Sequence, residues 1–311
     1  MYIIRRDIQS FYETLPIAAV KEHVLYGTFI PTRIKEFLKM YFATFSPNLT
    51  GVPRGMGLSS AIAELAMGKT DQKIRELPGV YKYFRYSDDI LIFSTIQPEK
   101  IDASLAGTLP PGMKFNPEKS SEIEIHESRR NAARILVLDY LGYKFSFSNA
   151  IGDKSPRKVV VEISDRKVKK LKSKIICVFK SFSKNKDFSL FRDRIAFLAS
   201  NYFAYRKGVS MVRDSPYAKS GIYYNYHLCG TYQGEARMPH ECRELKSLDG
   251  FFNSLMRSNS SSFRPLFTGV AGNYRLKTME RISFFKGYQK KMMVRFNSDK
   301  VSKIKSAWRN A

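Results

Sequence analysis

The stretch Tyr81-Lys82-Tyr83-Phe84-Arg85-Tyr86-Ser87-Asp88-Asp89-Ile90-Leu91-Ile92-Phe93-Ser94 decides how the first half of the chain is read. Aromatic and β-branched residues on either side of a short polar tip predict two strands joined by a tight turn. Asp88 and Asp89 then stand side by side at that tip, where like charges repel unless something divalent and positive lies against them. Magnesium is the natural ion, and manganese accepts the same oxygen ligands. A third carboxylate lies upstream: Tyr2-Ile3-Ile4 reads as a strand entering the core, and Asp7 follows, ahead of Ile8-Gln9-Ser10-Phe11-Tyr12. Two strands that bring Asp7 and Asp88 together make a two-metal site suited to in-line phosphoryl transfer.

Between the carboxylate segments lies Gly51-Val52-Pro53-Arg54-Gly55-Met56-Gly57-Leu58-Ser59-Ser60, which leads into the helix-like Ala61–Met67. A glycine-rich loop opening a helix lets backbone approach a nucleotide closely. Alone, it also reads as an ordinary turn and cap.

Order and spacing of these segments resemble the palm of a reverse transcriptase. Asp7 to Tyr12 is similar to the first carboxylate motif of that family, Gly51 to Ser60 to its template and nucleotide loop, and Tyr86 to Asp89 to its Tyr-x-Asp-Asp hairpin. Gly112 to Ser120 is similar to the segment whose lysine, here Lys119, approaches the departing pyrophosphate. Leu138 to Tyr143 is similar to the primer-grip hairpin. The resemblance implies catalytic and metal-binding roles for Asp7, Asp88 and Asp89, and a general-acid role for Lys119, which otherwise reads as a surface charge. It implies substrate contacts at Phe11, Tyr12, Arg54, Gly55, Ser59 and Tyr86. Tyr12 matches the family's steric gate against a ribose 2′-hydroxyl; its plainer reading is a core aromatic beside Phe11. Arg54 hydrogen-bonds template or phosphate, or caps its loop.

Two departures qualify the likeness. Arg54 stands where most of the family carries Gln, and Ser59-Ser60 where Ser-Pro is usual; this version looks like the bacterial phage-defence and abortive-infection enzymes, the type 3 defence class among them. In the family a basic fingers subdomain precedes the first carboxylate motif, whereas six residues precede Asp7. The expectation is therefore a missing fingers segment or a protein partner that supplies one.

Composition agrees with a polyanionic partner: 53 Lys and Arg against 28 Asp and Glu give a formal charge of +25, the electrostatic footprint of phosphate binding. Hydrophobic content of 43%, with 23 Phe and 18 Tyr, supports packed cores and excludes general disorder. No run approaches a membrane span and the start has no signal-peptide apolar region, so no membrane partner and a cytoplasmic location are expected. The three cysteines, Cys177, Cys229 and Cys242, form no Cys-x-x-Cys. His227-Leu228-Cys229 and His240-Glu241-Cys242 offer four ligands to zinc, but at tighter spacing than common zinc motifs; structural residues are the better reading.

The expected fold class is α+β: a polymerase palm, an antiparallel sheet with packed helices, at residues 1–146; an α-helical thumb at 147–230; and a basic C-terminal extension at 231–311. Helices are predicted around Thr32–Phe45 and Leu58–Lys69, with a polar turn or linker at Ser146–Pro156. A further helix is capped by Ser164 or Asp165 and carries Val168, Leu171, Ile175, Val178 and Phe182 on one face. Another is predicted over Leu190–Tyr205. Residues 154–180 hold ten Lys or Arg against two acids, and Arg275–Arg309 eleven against two. The first reads as a basic face tracking a duplex backbone, the second as RNA-stacking aromatics among cations or as a half-buried helix.

The implied function is RNA-directed DNA polymerisation in bacterial antiviral defence. Magnesium is the implied cofactor. RNA template or non-coding RNA, DNA primer or product, and deoxynucleoside triphosphates are the implied partners. Two other classes stay open: a catalytically incomplete nucleic-acid-binding subunit, and a template-independent or RNA-synthesising polymerase with the same palm.

Overall fold

A computed structural model describes residues 1–27, 30–48, 50–126, 133–150, 156–205, 217–239 and 241–309. The chain forms two compact units, Met1–Asn131 and Ala132–Ala311. Mixed helices and antiparallel sheets make it α+β.

In the first unit, β1 (Tyr2–Asp7) is followed by α1 (Phe11–Thr14), α2 (Ala18–Tyr26), α3 (Thr32–Phe45), α4 (Gly57–Glu76), β2 (Val80–Tyr86), β3 (Asp89–Ser94), α5 (Pro98–Ala106) and β4 (Ser121–Glu124). The sheet order is β2-β3-β1-β4, with every pairing antiparallel. Side chains alternate across it with period two. Ile4, Ile90 and Ile92, all fully buried, join Phe11, Phe42, Ile62, Met67 and Ile74 in one core. Burying each such side chain contributes roughly 1.5–3 kcal/mol. Arg6 points to the same face as Ile4 and is nevertheless buried; its guanidinium bonds Asp102 of α5 and Glu122 of β4, which makes the burial tolerable.

The predicted strand–turn–strand is β2 and β3, closed by Tyr86 opposite Asp89. Ser87 takes a left-handed φ of 58°, and Asp88 follows it at the tip. The helix predicted over Thr32–Phe45 has those bounds, while the one predicted at Leu58–Lys69 runs from Gly57 to Glu76. Gly51, with φ of 76°, admits no side chain: a Cβ there would lie 2.7 Å from the Glu13 carbonyl oxygen.

The second unit contains β5 (Ile135–Tyr140), β6 (Tyr143–Ser148), β7 (Lys158–Ile163), α6 (Asp165–Asn185), α7 (Phe188–Ala199), β8 (Asn201–Tyr205), β9 (Tyr217–Gly221), β10 (Gly230–Gln233), β11 (Ala236–Met238), α8 (Arg243–Arg257), α9 (Gly269–Met279), α10 (Phe284–Gln289) and α11 (Ser298–Lys305). Five strands pair in the order β11-β10-β7-β6-β5, and β8 pairs with β9. The β5–β6 turn places Leu141 and Gly142 at φ of 51° and 84°, the paired left-handed residues that a tight hairpin demands. Its core gathers Ile175, Val178, Phe179 and Phe182 of α6 with Phe191, Phe252 and Phe284.

Three expectations need correction here. Strand content is larger than the helical pattern beyond residue 156 suggested, because β7 precedes α6 and pairs with β6 and β10. The helix predicted over Leu190–Tyr205 stops at Ala199, and Asn201–Tyr205 is strand. There the Asn201 amide accepts from Tyr223 N and donates to Gly287 O and Met292 O, tying the backbone into an extended path. The polar stretch Ser146–Pro156 begins inside β6, and its residues 151–155 lie outside the described residues.

Candidate active site

Antiparallel pairing of β1 with β3 sets Asp7 opposite Asp89, and the hairpin tip adds Asp88. The Ile8 amide donates to the Asp88 carbonyl at 3.0 Å, which fixes the tip against the end of β1. One carboxylate oxygen from each of the three lies within 4.8 Å of the others. Asp7 is buried, and the two hairpin carboxylates are half-buried. Burial, then repulsion from Asp7 and Asp89, holds the Asp88 carboxyl above its ordinary range, with Lys119 partly opposing. Hard oxygen donors carrying mutual repulsion fit a divalent cation of the magnesium kind.

Segment 112–120 closes one side. Gln9 N donates to Lys114 O at 2.9 Å, and Asn116 N to Asp7 O at 2.7 Å. A short helical turn capped by the Asn116 side chain then carries Lys119 to Asp7, with Nζ at 3.0 and 3.3 Å from the two carboxylate oxygens. Lys119 is half exposed, whereas Asp7 is buried.

The glycine loop lies along α1. Gly51 N donates to Leu15 O and Val52 N to Tyr12 O, both at 2.8 Å. Arg54 grips Glu13 with two hydrogen bonds, and this pair holds the Glu13 carboxyl below the ordinary range. Tyr12 is half-buried; its hydroxyl lies 3.3 Å from Ser87 Oγ and 3.5 Å from Ser60 Oγ, between the hairpin turn and the start of α4. Gly55 and Tyr86 are exposed. Phe11 is a core residue whose ring meets Tyr12 edge-on at 5.2 Å, and Ser59 is buried on the Tyr41 hydroxyl. These two support the site from behind.

Behind the hairpin, Arg85 of β2 bonds Asp71 and Glu64 of α4 and also donates to the Ser87 carbonyl; the Tyr83 hydroxyl donates to Asp71 at 2.7 Å. Sequence reasoning missed this brace, and it missed Glu13 and Arg5. The signal for Arg5 was present: it stands two residues before Asp7 in a strand, hence on the same face.

Of the proposed zinc ligands, Cys229 and Cys242 are buried in the core of the second unit, His227 Nδ1 lies 3.0 Å from Tyr224 O, and His240 lies outside the described residues. Burial pushes the Cys242 thiol up to about 11 and the Cys229 thiol higher still, the opposite of a thiolate ligand. Among the described residues, the trio Asp7, Asp88 and Asp89 is the group of metal-ligating side chains that converges. The tail aromatics go mostly to packing: Phe284 and Tyr288 are buried, and Phe285, Phe296 and Trp308 are partly buried. No helix among the described residues is long and apolar enough to cross a membrane.

Residues 1–145 match the family of reverse transcriptases (RNA-dependent DNA polymerases). The match takes in the three carboxylates, the glycine loop and Lys119, and it supports polymerase chemistry for that part of the chain. No curated protein matches the chain.

Proposed function

We propose that this chain is an RNA-directed DNA polymerase that joins deoxynucleotides by nucleotidyl transfer at Asp7, Asp88 and Asp89. The observation that carries the reading is the β1–β3 register, which brings carboxylates from distant segments together inside the stretch that matches the reverse transcriptases. Magnesium ions held by Asp7 and Asp88, with Asp89 tuning the site, would supply charge neutralisation for the triphosphate and acidification of the primer 3′-hydroxyl.

The chain's own groups do the rest. Tyr12, braced by Phe11 and the Ser87 turn, stands where a sugar edge is screened. Lys119 holds a proton on Nζ beside Asp7, in position to give it to the departing pyrophosphate once a nucleotide draws the ammonium away. Arg54 and the exposed backbone at Gly55 face the nucleotide or its template, with Glu13 orienting the guanidinium.

Residues 147–230 act as a thumb and 231–311 as a basic extension, both serving RNA and its DNA copy. Support comes from α6: Lys167, Lys169 and Lys170 are exposed, and none of them has a carboxylate partner among the described residues. The Arg54 and Ser59-Ser60 version of the glycine loop, by its likeness to phage-defence enzymes, is the ground for a role in bacterial antiviral defence.

Primer extension tests the polymerase reading. With an RNA template, a DNA primer, deoxynucleotides and magnesium, a complex containing this chain should extend the primer. Asp88→Asn should abolish extension while nucleic-acid affinity stays within about twofold, since the charge is lost at the carboxylate trio and the basic surfaces are intact. Undiminished extension by the variant overturns the assignment.

A further inference from the structure

The three carboxylates differ in what already neutralises them. Asp7 has Lys119, a flexible cation half in solvent. Asp88, at the tip, has no ion pair among the described residues, and two carboxylates crowd it. Asp89 has Arg5. In β1 the side chain of Arg5 shares a face with Asp7; its partner across the strands is Leu91, so Asp89 is its diagonal neighbour, within reach of a long side chain. Arg5 Nη2 lies 2.7 Å and Nε 3.2 Å from the same oxygen, Asp89 Oδ1, with both side chains about one-fifth exposed, at 22% and 20%.

These two counterions are not equivalent. An ammonium on a four-carbon stem leaves easily, whereas a planar guanidinium rooted in the central part of a sheet is fixed in direction and always charged. Arg6, the next residue, anchors the opposite face of the same strand to Asp102 and Glu122, so β1 cannot rotate to release Arg5.

We propose that Arg5 is a positioning residue that neutralises Asp89 within the carboxylate trio, leaving the divalent ion to Asp7 and Asp88. Adjacent, chemically identical carboxylates thereby acquire different tasks. Asp88 receives the ion, and Asp89 serves as the inner half of an ion pair that stiffens the hairpin. The proposal rests on the preceding reading, in which Asp7 and Asp88 take a divalent cation. It goes beyond it in assigning the residue that sets Asp89 apart.

Calorimetric titration of manganese and magnesium into the chain, without nucleic acid, separates the possibilities. Asp88→Asn should lose the site. Arg5→Gln leaves Asp89 uncompensated beside the ion and should tighten binding roughly tenfold, since affinity at carboxylate sites follows ligand charge count. The double variant Arg5→Gln with Asp89→Asn removes both charges of the ion pair and should bind within about twofold of the unaltered chain. This closes a cycle that isolates the coupling.

The double variant also guards against a fold defect in Arg5→Gln, because it leaves no unpaired charge at the hairpin; thermal unfolding of each variant completes the control. A double variant as weak as Asp88→Asn would make Asp89 a direct ligand and overturn the proposal. Arg5→Gln binding like the unaltered chain would overturn it too. Should Asp88→Asn bind as well as the unaltered chain, the cation-site reading itself fails, which is a different result.

Discussion

At the scale of the residue, the Tyr12 hydroxyl lies 3.3 Å from Ser87 Oγ in the hairpin turn, while its ring is backed edge-on by Phe11. A ring fixed from two sides excludes by volume, without a hydrogen-bond code. Tyr12→Ala should therefore raise incorporation of ribonucleotides relative to deoxynucleotides by roughly tenfold or more, within the range that one small group in a pocket supplies. Competition kinetics with paired nucleotides measure the ratio; an unchanged ratio makes Tyr12 a packing residue. Asp7, Asp88 and Asp89 were legible in the sequence because paired acids amid apolar strands are costly without a purpose. Phe11 and Ser59 also stood out, but as motif neighbours. Only the fold turns Phe11, on the single turn of α1, into the core and Ser59, in the first turn of α4, toward Tyr41.

At the scale of the element, β2 is an edge strand, and its order depends on α4. Arg85 has 4% of its side chain exposed and binds Asp71, itself 13% exposed, and the same guanidinium reaches the Ser87 carbonyl. Removing one member strands a charge in a place with little water. Arg85→Met should cost about 3–5 kcal/mol. Adding Asp71→Leu should recover most of that loss, because the carboxylate that remains, Glu64, is exposed to water. Urea unfolding of both variants checks the pair; a double variant no more stable than the single would show that the helix–strand contact fails for another reason. The extent of α3 was legible in the sequence, as was the apolar face of α6 through its three- and four-residue spacing. The end of α7 was not, because Tyr202 and Phe203 continue the apolar run while Asn201, whose amide binds the backbone at Gly287 and Met292, turns it into strand. Nor did sequence separate core aromatics from stacking platforms in the tail: Phe284 and Tyr288 of α10 look the same in either role until they are seen packed in the core of the second unit, with Phe252 of α8 against Phe284.

At the scale of the whole molecule, a formal charge of +25 governs encounter with any polyanion. The lysines of α6 crowd one another: burial, then Lys170, Lys305 and Lys167, lowers the proton affinity of Lys174. Such a face gains by phosphate contact. Binding of RNA or primer–template should weaken steeply from low to physiological salt. The triple change Lys167→Gln, Lys170→Gln and Lys174→Gln should reduce the slope of log affinity against log salt by about two. Fluorescence anisotropy across a salt series measures it, and an unaltered slope places the nucleic acid elsewhere. Net charge was plain from composition, and so was the mixed helix-and-strand class. The compact division after Asn131 was not, because no run of Gly, Pro or Ser marks it and the units are defined by which residues pack together.

The back-to-back arginines of β1 have a consequence for how the protein can go wrong. A one-residue slip of this strand would send Arg5 toward the isoleucines and turn Asp7 to the other side, exchanging both anchored ion pairs for stranded charges at once. A mispaired chain is thus too unstable to persist as a folded impostor. Purified material that survives in solution should be uniform in its competence, so that partial specific activity in a preparation reports missing or damaged molecules and not a hidden misaligned population.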